Sequence, residues 1–210
     1  MTRLMTTRSL FVTPLYEASL AAEKGFETFI DDLHDACIGV AEDDEAGQAW
    51  AETKGYLGYT SYASLDDLAQ RDSLFADLKK KLDKHAAAFA KALHFDLAGG
   101  KLVMDSFWIN ILDPGGQHTG HIHPHSVISG TVYVTIPPGA SALKFEDPRL
   151  PMMMAAPTRQ ADAPEDRQTF VYVQPAAGTV LMWESWLRHE LPANAAKSDR
   201  ISVSFNYAWK

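Results

Sequence analysis

Cysteine is almost missing from this chain of 210 residues, which contains a single one, Cys37. A lone cysteine excludes an internal disulfide framework, and it excludes every metal site that is built from several thiolates. A bound metal ion would therefore have to use nitrogen and oxygen ligands.

Long apolar runs and clustered positive charge are missing too. No stretch approaches the roughly 18 apolar residues that a membrane-spanning helix needs, and Met1 to Pro14 lacks the apolar core of a secretion signal. Acidic residues outnumber basic ones by 27 to 19, and the basic residues are scattered. Because contacts to phosphates need clustered Lys and Arg, nucleic acid is disfavoured as a partner. We predict a cytoplasmic protein that binds neither nucleic acid nor membrane.

The spacing of apolar residues changes near residue 100. Between Phe75 and Leu93 they recur every three or four positions after a potential cap, Asp72, which predicts an amphipathic helix. Further helices are predicted at 15–39 and 45–54. Later runs rich in Val, Ile and aromatic residues predict strands at 102–112, 121–136, 142–146, 168–174, 178–183 and 200–209. We expect one domain, 1–210, in which a helical scaffold (1–100) packs on a sandwich or barrel (101–210).

The segment 150–166 follows neither the helical nor the strand spacing of apolar residues. It contains several prolines and the run Met152-Met153-Met154. Flexible methionines suit an adaptable apolar wall, so a lid over a binding site is one interpretation. A surface insertion that packs its methionines onto the sheet is the other.

Four of the eight histidines lie between His118 and His125. On an extended strand residues two apart face the same side, so His121 and His123 can chelate one ion. If the strand continues, the same polar face carries Ser129, Thr131 and Tyr133. His118, in a Gly-rich turn, and His125, after a proline, are weaker candidates for ligands. A His-rich polar loop without metal is the alternative.

A second polar face is predicted near the end of the chain, where Arg200 opens a strand. His189, which follows an earlier predicted strand, would complete a facial set of three ligands with His121 and His123. About three octahedral positions would stay open for a chelating cosubstrate and dioxygen. Arg200 is suited to a bidentate pair with a carboxylate of that cosubstrate, and Ser202 adds a hydroxyl donor.

Several spaced motifs occur between residues 105 and 207. They read Trp108-Ile109-Asn110, His121-Ile122-His123-Pro124-His125-Ser126-Val127-Ile128-Ser129-Gly130, Asp147-Pro148-Arg149, His189 and Arg200. Together they resemble a family of 2OG-Fe(II) oxygenases that is marked by Trp-x-Asn, His-x-His-Pro-x-Ser-x-x-Ser-Gly, Asp-Pro-Arg and a distal His followed by Arg. The resemblance implies a mainly β fold with α-helices, whose core is a double-stranded β-helix (jelly roll).

The same resemblance implies Fe(II), 2-oxoglutarate and dioxygen, and the hydroxylation of a substrate C–H bond. The implied iron ligands are His121, His123 and His189. Arg200-Ile201-Ser202 resembles the Arg-x-Ser pattern that holds the 2-oxoglutarate carboxylate in related oxygenases, and Tyr133 or Asn110 is expected to add a hydrogen bond.

Position 123 departs from the wider superfamily, which has Asp or Glu where this chain has histidine. Three arrangements follow from this departure. The iron is held by three neutral imidazoles, or a carboxylate such as Glu146 or Asp147 joins from the next strand, or only two protein ligands bind. Three neutral ligands would leave the metal more positive than two histidines and a carboxylate.

Two other functions fit part of the pattern. A cupin-like metal-binding jelly roll would use the histidines without Arg200 or 2-oxoglutarate, but the glutamate of the cupin motif is absent after His123. A degenerate, non-catalytic binding module would keep the fold alone. No residue pattern indicates the substrate, so a small molecule and a peptide are both candidates, and no oligomeric state is predicted.

Overall fold

The computed structural model describes residues 6–149 and 154–210. The helices are α1 (Phe26–Asp43), α2 (Glu45–Lys54), α3 (Leu68–Arg71) and α4 (Ser73–Ala92). The strands are β1 (Tyr16–Ser19), β2 (Gly58–Thr60), β3 (Leu102–Leu112), β4 (His118–His121), β5 (Ile128–Thr135), β6 (Leu143–Glu146), β7 (Phe170–Val173), β8 (Thr179–Glu184), β9 (His189–Leu191) and β10 (Arg200–Trp209).

Two antiparallel sheets make up the β part of the described chain. The major sheet has the order β1-β8-β5-β10-β3-β2, and the minor sheet has the order β4-β9-β6-β7. Apolar residues of both sheets, including Tyr133, Phe145 and Trp183, share a core that lies between them. The sheets therefore face each other, and the side chains of β10 that point inward reach this space.

The other face of the major sheet is covered by helices. Buried residues of α1 and α4 such as Leu33, Phe75 and Leu82 form one core with Ile109 and Val203 of the sheet. Burying each such side chain contributes about 1.5–3 kcal/mol to folding. The cap of α4 is as predicted, because the Asp72 side chain accepts a hydrogen bond from the backbone N–H of Leu74.

Gly130 shows why the sheet needs a glycine at the centre of β5. A Cβ atom at this position would lie 2.5 Å from the Phe205 ring and 2.6 Å from the Leu181 carbonyl oxygen. Both distances are below van der Waals contact, so any side chain would separate β5 from its neighbours.

The helix predicted at 15–39 is wrong at its beginning. Residues Tyr16–Ser19 form β1, which pairs with β8, and α1 begins only at Phe26, after Gly25 with a φ of 80°. Tyr16 and Ala18 face the core while Glu17 and Ser19 are exposed. Pairing with a distant strand overrode the local helical propensity of this segment.

The single strand predicted at 121–136 is also wrong, because the structure divides it. Strand β4 ends at His121 and β5 begins at Ile128. Pro124 has no backbone N–H to donate to a ladder, and His125 adopts a φ of 72°, which a strand does not allow. A tight turn therefore separates the two strands.

Only part of the lid candidate can be described. Leu150 to Met153 lie outside the described residues, so Met152 and Met153 do too. Met154 is 89% exposed, and a short 3-10 turn follows at Glu165–Arg167. None of the described helices is long and apolar enough to cross a bilayer.

Candidate metal centre and cofactor pocket

Three histidines converge between the sheets. His121 ends β4, His123 lies two residues further in the turn, and His189 opens β9 opposite His121. One ring nitrogen from each lies within 4.8 Å of the others. The Nε2 atoms of His123 and His189 are 3.3 Å apart. Two imidazoles bound at right angles to one ion at about 2.1 Å would place their nitrogens about 3 Å apart, so the group fits a divalent metal.

Backbone carbonyls orient two of the three rings. His121 Nδ1 lies 2.7 Å from the Thr119 carbonyl oxygen, and His189 Nδ1 lies 2.9 Å from that of Leu187. Since a carbonyl only accepts, each Nδ1 carries the proton and donates it. Each Nε2 is then left with a free lone pair, which is the form that binds metal.

Burial keeps His123 and His189 neutral. Burial, with a smaller effect of the neighbouring His121, lowers the pKa of His123 to about 4. Burial and the neighbouring imidazoles lower the pKa of His189 to about 3, although its hydrogen bond to the Leu187 carbonyl opposes the change. Aromatic rings enclose the group: Trp183 lies 4.6 Å and Phe145 6.1 Å from the His189 ring, centroid to centroid. Near neutral pH His123 and His189 therefore need not lose protons before they bind a cation.

Within residues 6–149 and 154–210, no carboxylate joins the three histidines. The Glu146 side chain accepts a hydrogen bond from Arg188 at 3.0 Å. Both carboxylate oxygens of Asp147 accept from Arg149 at 2.9 and 3.0 Å. Each candidate carboxylate is thus engaged with an arginine, and the donor set consists of nitrogen alone.

The two other histidines of the segment lie outside the metal group. His118 forms a hydrogen bond with the Tyr56 hydroxyl at 2.5 Å. His125 is exposed, and its backbone makes the turn after Pro124. Both line the same cavity, but neither places a nitrogen in the cluster.

A cavity of about 720 Å³ extends from the histidines along the inner face of the major sheet. All seven residues predicted for the site line it: His121, His123, His189, Arg200, Ser202, Tyr133 and Asn110. The inward face of β10 forms much of its floor, because side chains alternate along the strand as predicted. Arg200, Ser202, Ser204 and Asn206 point into the cavity, while Ile201, Val203, Phe205 and Tyr207 enter the helical core.

Arg200 is the unusual residue of this cavity. It is only 3% exposed, and the ion pairs of the described residues do not include it. Its Nε and the Tyr133 hydroxyl are both buried, and neither has a hydrogen-bond partner in the part of the chain that the structure describes. Burial lowers the pKa of Arg200 and raises that of Tyr133 to about 12. A buried cation beside an unused hydroxyl is suited to an anionic ligand.

The other two predicted cofactor residues lie beside Arg200 on the cavity floor. Ser202 pairs with Asn110 on β3 and with Tyr133 on β5. The Asn110 carbonyl accepts from Thr60 at 3.0 Å and its amide donates to Ser204 at 3.1 Å. One amide N–H of Asn110 therefore stays free for a ligand.

The sequence interpretation missed the residues that the N-terminal half contributes to the cavity. Trp50, Tyr56 and Tyr62 line it, although they were assigned to the helical scaffold. Tyr62 lies edge-on to Trp108, with ring centroids 5.0 Å apart. The only signal was the aromatic content of the segment Tyr56–Tyr62, which flanks β2 and has no helical period.

Residues 106–206 match the family described as "Putative 2OG-Fe(II) oxygenase". This segment, a little under half of the chain, is therefore similar to an oxygenase domain of that family. The prediction of an Fe(II)- and 2-oxoglutarate-dependent oxygenase is confirmed at this level. The sequence has no match among curated proteins.

Solved structures with a similar fold come from several organisms. A prolyl-4-hydroxylase from Pseudomonas putida is 14% identical with a TM-score of 0.59, and 93% of each chain is covered. HygX from Streptomyces hygroscopicus, solved with nickel and 2-oxoglutarate bound, is 13% identical with a TM-score of 0.59, covering 94% of this chain and 82% of its own. The viral collagen prolyl hydroxylase from Paramecium Bursaria Chlorella virus-1 is 12% identical with a TM-score of 0.56, covering 100% and 99%. The predicted jelly-roll fold is thus confirmed.

Proposed function

We propose that this oxygenase is a hydroxylase in which His121, His123 and His189 hold Fe(II). One observation carries the proposal: three convergent imidazoles line the same cavity as a buried arginine that forms no ion pair with the described residues. A metal site alone would not require Arg200, whose burial without a partner destabilises the empty protein. A ligand that chelates the metal and also carries a distant carboxylate accounts for both features.

2-Oxoglutarate has the chemistry that these residues require. Its 2-oxo acid end would occupy two metal positions, and its distal carboxylate would accept hydrogen bonds from Arg200 and from the Tyr133 hydroxyl. Ser202 and the free amide N–H of Asn110 supply further donors on the floor. The guanidinium presents a planar fork that matches a carboxylate.

The iron and 2-oxoglutarate would supply the oxidising power for the reaction with dioxygen. The chain's own residues would bind and orient 2-oxoglutarate and shield the metal site from water. Trp183 and Phe145 exclude water from one side of the histidines, and Trp108 lies 5.9 Å from His123 on another. The all-nitrogen ligand set leaves the bound cation more positive than a site with a carboxylate would. We expect a small molecule or a peptide to enter beside Trp108 and Tyr62.

An anaerobic titration tests this function. The purified protein is titrated with Fe(II) and then with 2-oxoglutarate, and the weak visible charge-transfer band of the chelate is recorded. We expect the band in the unchanged protein and its loss in His189→Ala, because removal of one of three ligands weakens Fe(II) binding. Arg200→Ala is expected to keep the metal and to weaken 2-oxoglutarate binding by about 2 kcal/mol or more, about thirtyfold.

Two outcomes would contradict the proposal. If metal bound but no band formed, a cupin-like metalloprotein would be favoured. If no stoichiometric metal bound, a non-catalytic module would be favoured. A substrate is then sought by following the conversion of 2-oxoglutarate to succinate with candidate small molecules and peptides.

Three further expectations are not part of this test. The single domain at 1–210, the cytoplasmic location and the lack of nucleic-acid or membrane partners stay predictions from the sequence.

A further inference from the structure

The described structure contains a half-buried tyrosine–histidine pair that the metal site does not use. The Tyr56 hydroxyl lies 2.5 Å from His118 Nε2, and the two rings are stacked with centroids 5.7 Å apart. Trp50 packs on Tyr56 with centroids 6.0 Å apart. All three residues line the cavity.

Strand pairing places this pair at the end of the cavity that contains Arg200. Arg200 pairs with Leu112 on β3, and Leu112 pairs with Gly58, two residues after Tyr56. His118 lies opposite Leu191 in the minor sheet. Tyr56 packs on the core that includes Leu112 and Leu191, so it closes the side of the cavity between the two sheets.

Electrostatic effects agree with this location. Burial raises the pKa of Tyr56, and the positive charge of Arg200 opposes that rise. Burial, together with smaller effects of His121 and of the positive charge of Arg200, lowers the pKa of His118 to about 4. Both side chains are thus neutral near pH 7 and lie within electrostatic reach of the guanidinium.

We propose that Tyr56 is a further cosubstrate-binding residue, whose hydroxyl donates a hydrogen bond to the distal carboxylate of 2-oxoglutarate, and that His118 positions this hydroxyl. The inference rests on the proposed function, since it needs 2-oxoglutarate to bind beside Arg200.

A neutral imidazole allows the tyrosine proton to point in either direction. When His118 carries its proton on Nδ1, Nε2 accepts a hydrogen bond from the Tyr56 hydroxyl. When the proton is on Nε2, His118 donates to the phenolic oxygen, and the Tyr56 proton is free to point at an acceptor in the cavity. A carboxylate can accept from Arg200, Tyr133 and Tyr56 together, since its two oxygens offer about four lone-pair sites.

The test compares 2-oxoglutarate with 2-oxopentanoate, which has a methyl group in place of the distal carboxylate. Affinities for the Fe(II) protein are measured anaerobically from the charge-transfer band. We expect Tyr56→Phe to weaken 2-oxoglutarate binding about tenfold, as for one hydrogen bond to a charged group, and to leave 2-oxopentanoate binding unchanged. This dependence on the distal carboxylate is a readout that a merely structural role would not give.

Tyr16→Phe is the matched control. It removes a second tyrosine–histidine hydrogen bond, between the Tyr16 hydroxyl and His85 Nδ1 at 2.9 Å, which lies outside the cavity. We expect it to leave both affinities unchanged. For His118, the Gln variant can still donate from its amide, so it should bind 2-oxoglutarate more tightly than the Phe variant does.

Three results would overturn the inference. The first is unchanged 2-oxoglutarate binding in Tyr56→Phe, and the second is an equal loss of affinity for 2-oxoglutarate and 2-oxopentanoate in that variant. The third is equal 2-oxoglutarate affinity in His118→Gln and His118→Phe. In each case the unchanged protein and Arg200→Ala show whether 2-oxoglutarate binds at Arg200 at all. Failure of this inference is thereby distinguished from failure of the proposed function.

Discussion

The two faces of β10 differ in what their side chains contact. Ile201, Val203 and Phe205 belong to a continuous apolar core with the helices. Arg200, Ser202 and Ser204 line a cavity and include a buried guanidinium nitrogen without a partner. One strand therefore has a face that stabilises the fold and a face that leaves polar groups unsatisfied for a ligand. Because successive side chains point to opposite faces of a strand, both faces are formed by the same few residues.

The largest expected effect is a difference in the free energy of unfolding between variants at two adjacent residues of β10. Ile201→Ala should lower the free energy of unfolding by about 2–5 kcal/mol, because it leaves a cavity in the helical core. Ser202→Ala should change stability by less than about 0.5 kcal/mol, because its hydroxyl faces an open cavity. Urea unfolding at 25 °C measures both. Equal losses would mean that the two faces contribute alike to the fold.

The alternation of β10 could be predicted because it depends only on local sequence. The convergence of His121 and His189 could be predicted because the motif spacing resembled a known family. The turn at His123 could not, since it depends on Pro124 and on the left-handed conformation of His125. The place of Tyr56 beside Arg200 depends on the pairing of β2 with β3, which joins residues about 50 positions apart. Non-local pairing of this kind leaves no periodic signal in the sequence.

The next effect is an increase in stability, whereas an ordinary core mutation lowers it. Arg200→Met keeps much of the side-chain volume and removes a buried cation that pairs with no carboxylate among the described residues. We expect the metal-free variant to be about 1–3 kcal/mol more stable than the unchanged protein, because replacing buried charge with apolar groups is often stabilising. Urea unfolding in the presence of a chelator measures this difference. A less stable variant would indicate that Arg200 supports the fold through its own packing.

The smallest effect concerns a polar contact on the helical side of the major sheet. His85 of α4 contacts the Tyr16 hydroxyl of β1, while Glu23 and Lys81 are the charged groups that affect it. Burial lowers the pKa of His85 below 6.5, and Lys81 lowers it further, whereas Glu23 opposes the change. Between that lowered value and 6.5, the unfolded chain binds a proton that the folded chain does not. The stability contributed by the neutral ring is therefore complete above pH 6.5, and it is lost as the pH falls from 6.5 towards the lowered pKa.

His85→Gln removes this titration but keeps an acceptor for the Tyr16 hydroxyl. Between pH 7.5 and 5.5 we expect the unchanged protein to lose more stability than the variant. The difference should be below about 1 kcal/mol, since the ring is half-exposed and solvent screens it. Thermal unfolding at the two pH values measures it, and Arg200→Met, on the cavity face, should keep the full loss. Identical pH dependence in the unchanged protein and His85→Gln would assign the acid sensitivity to other groups, such as the buried histidines of the cavity.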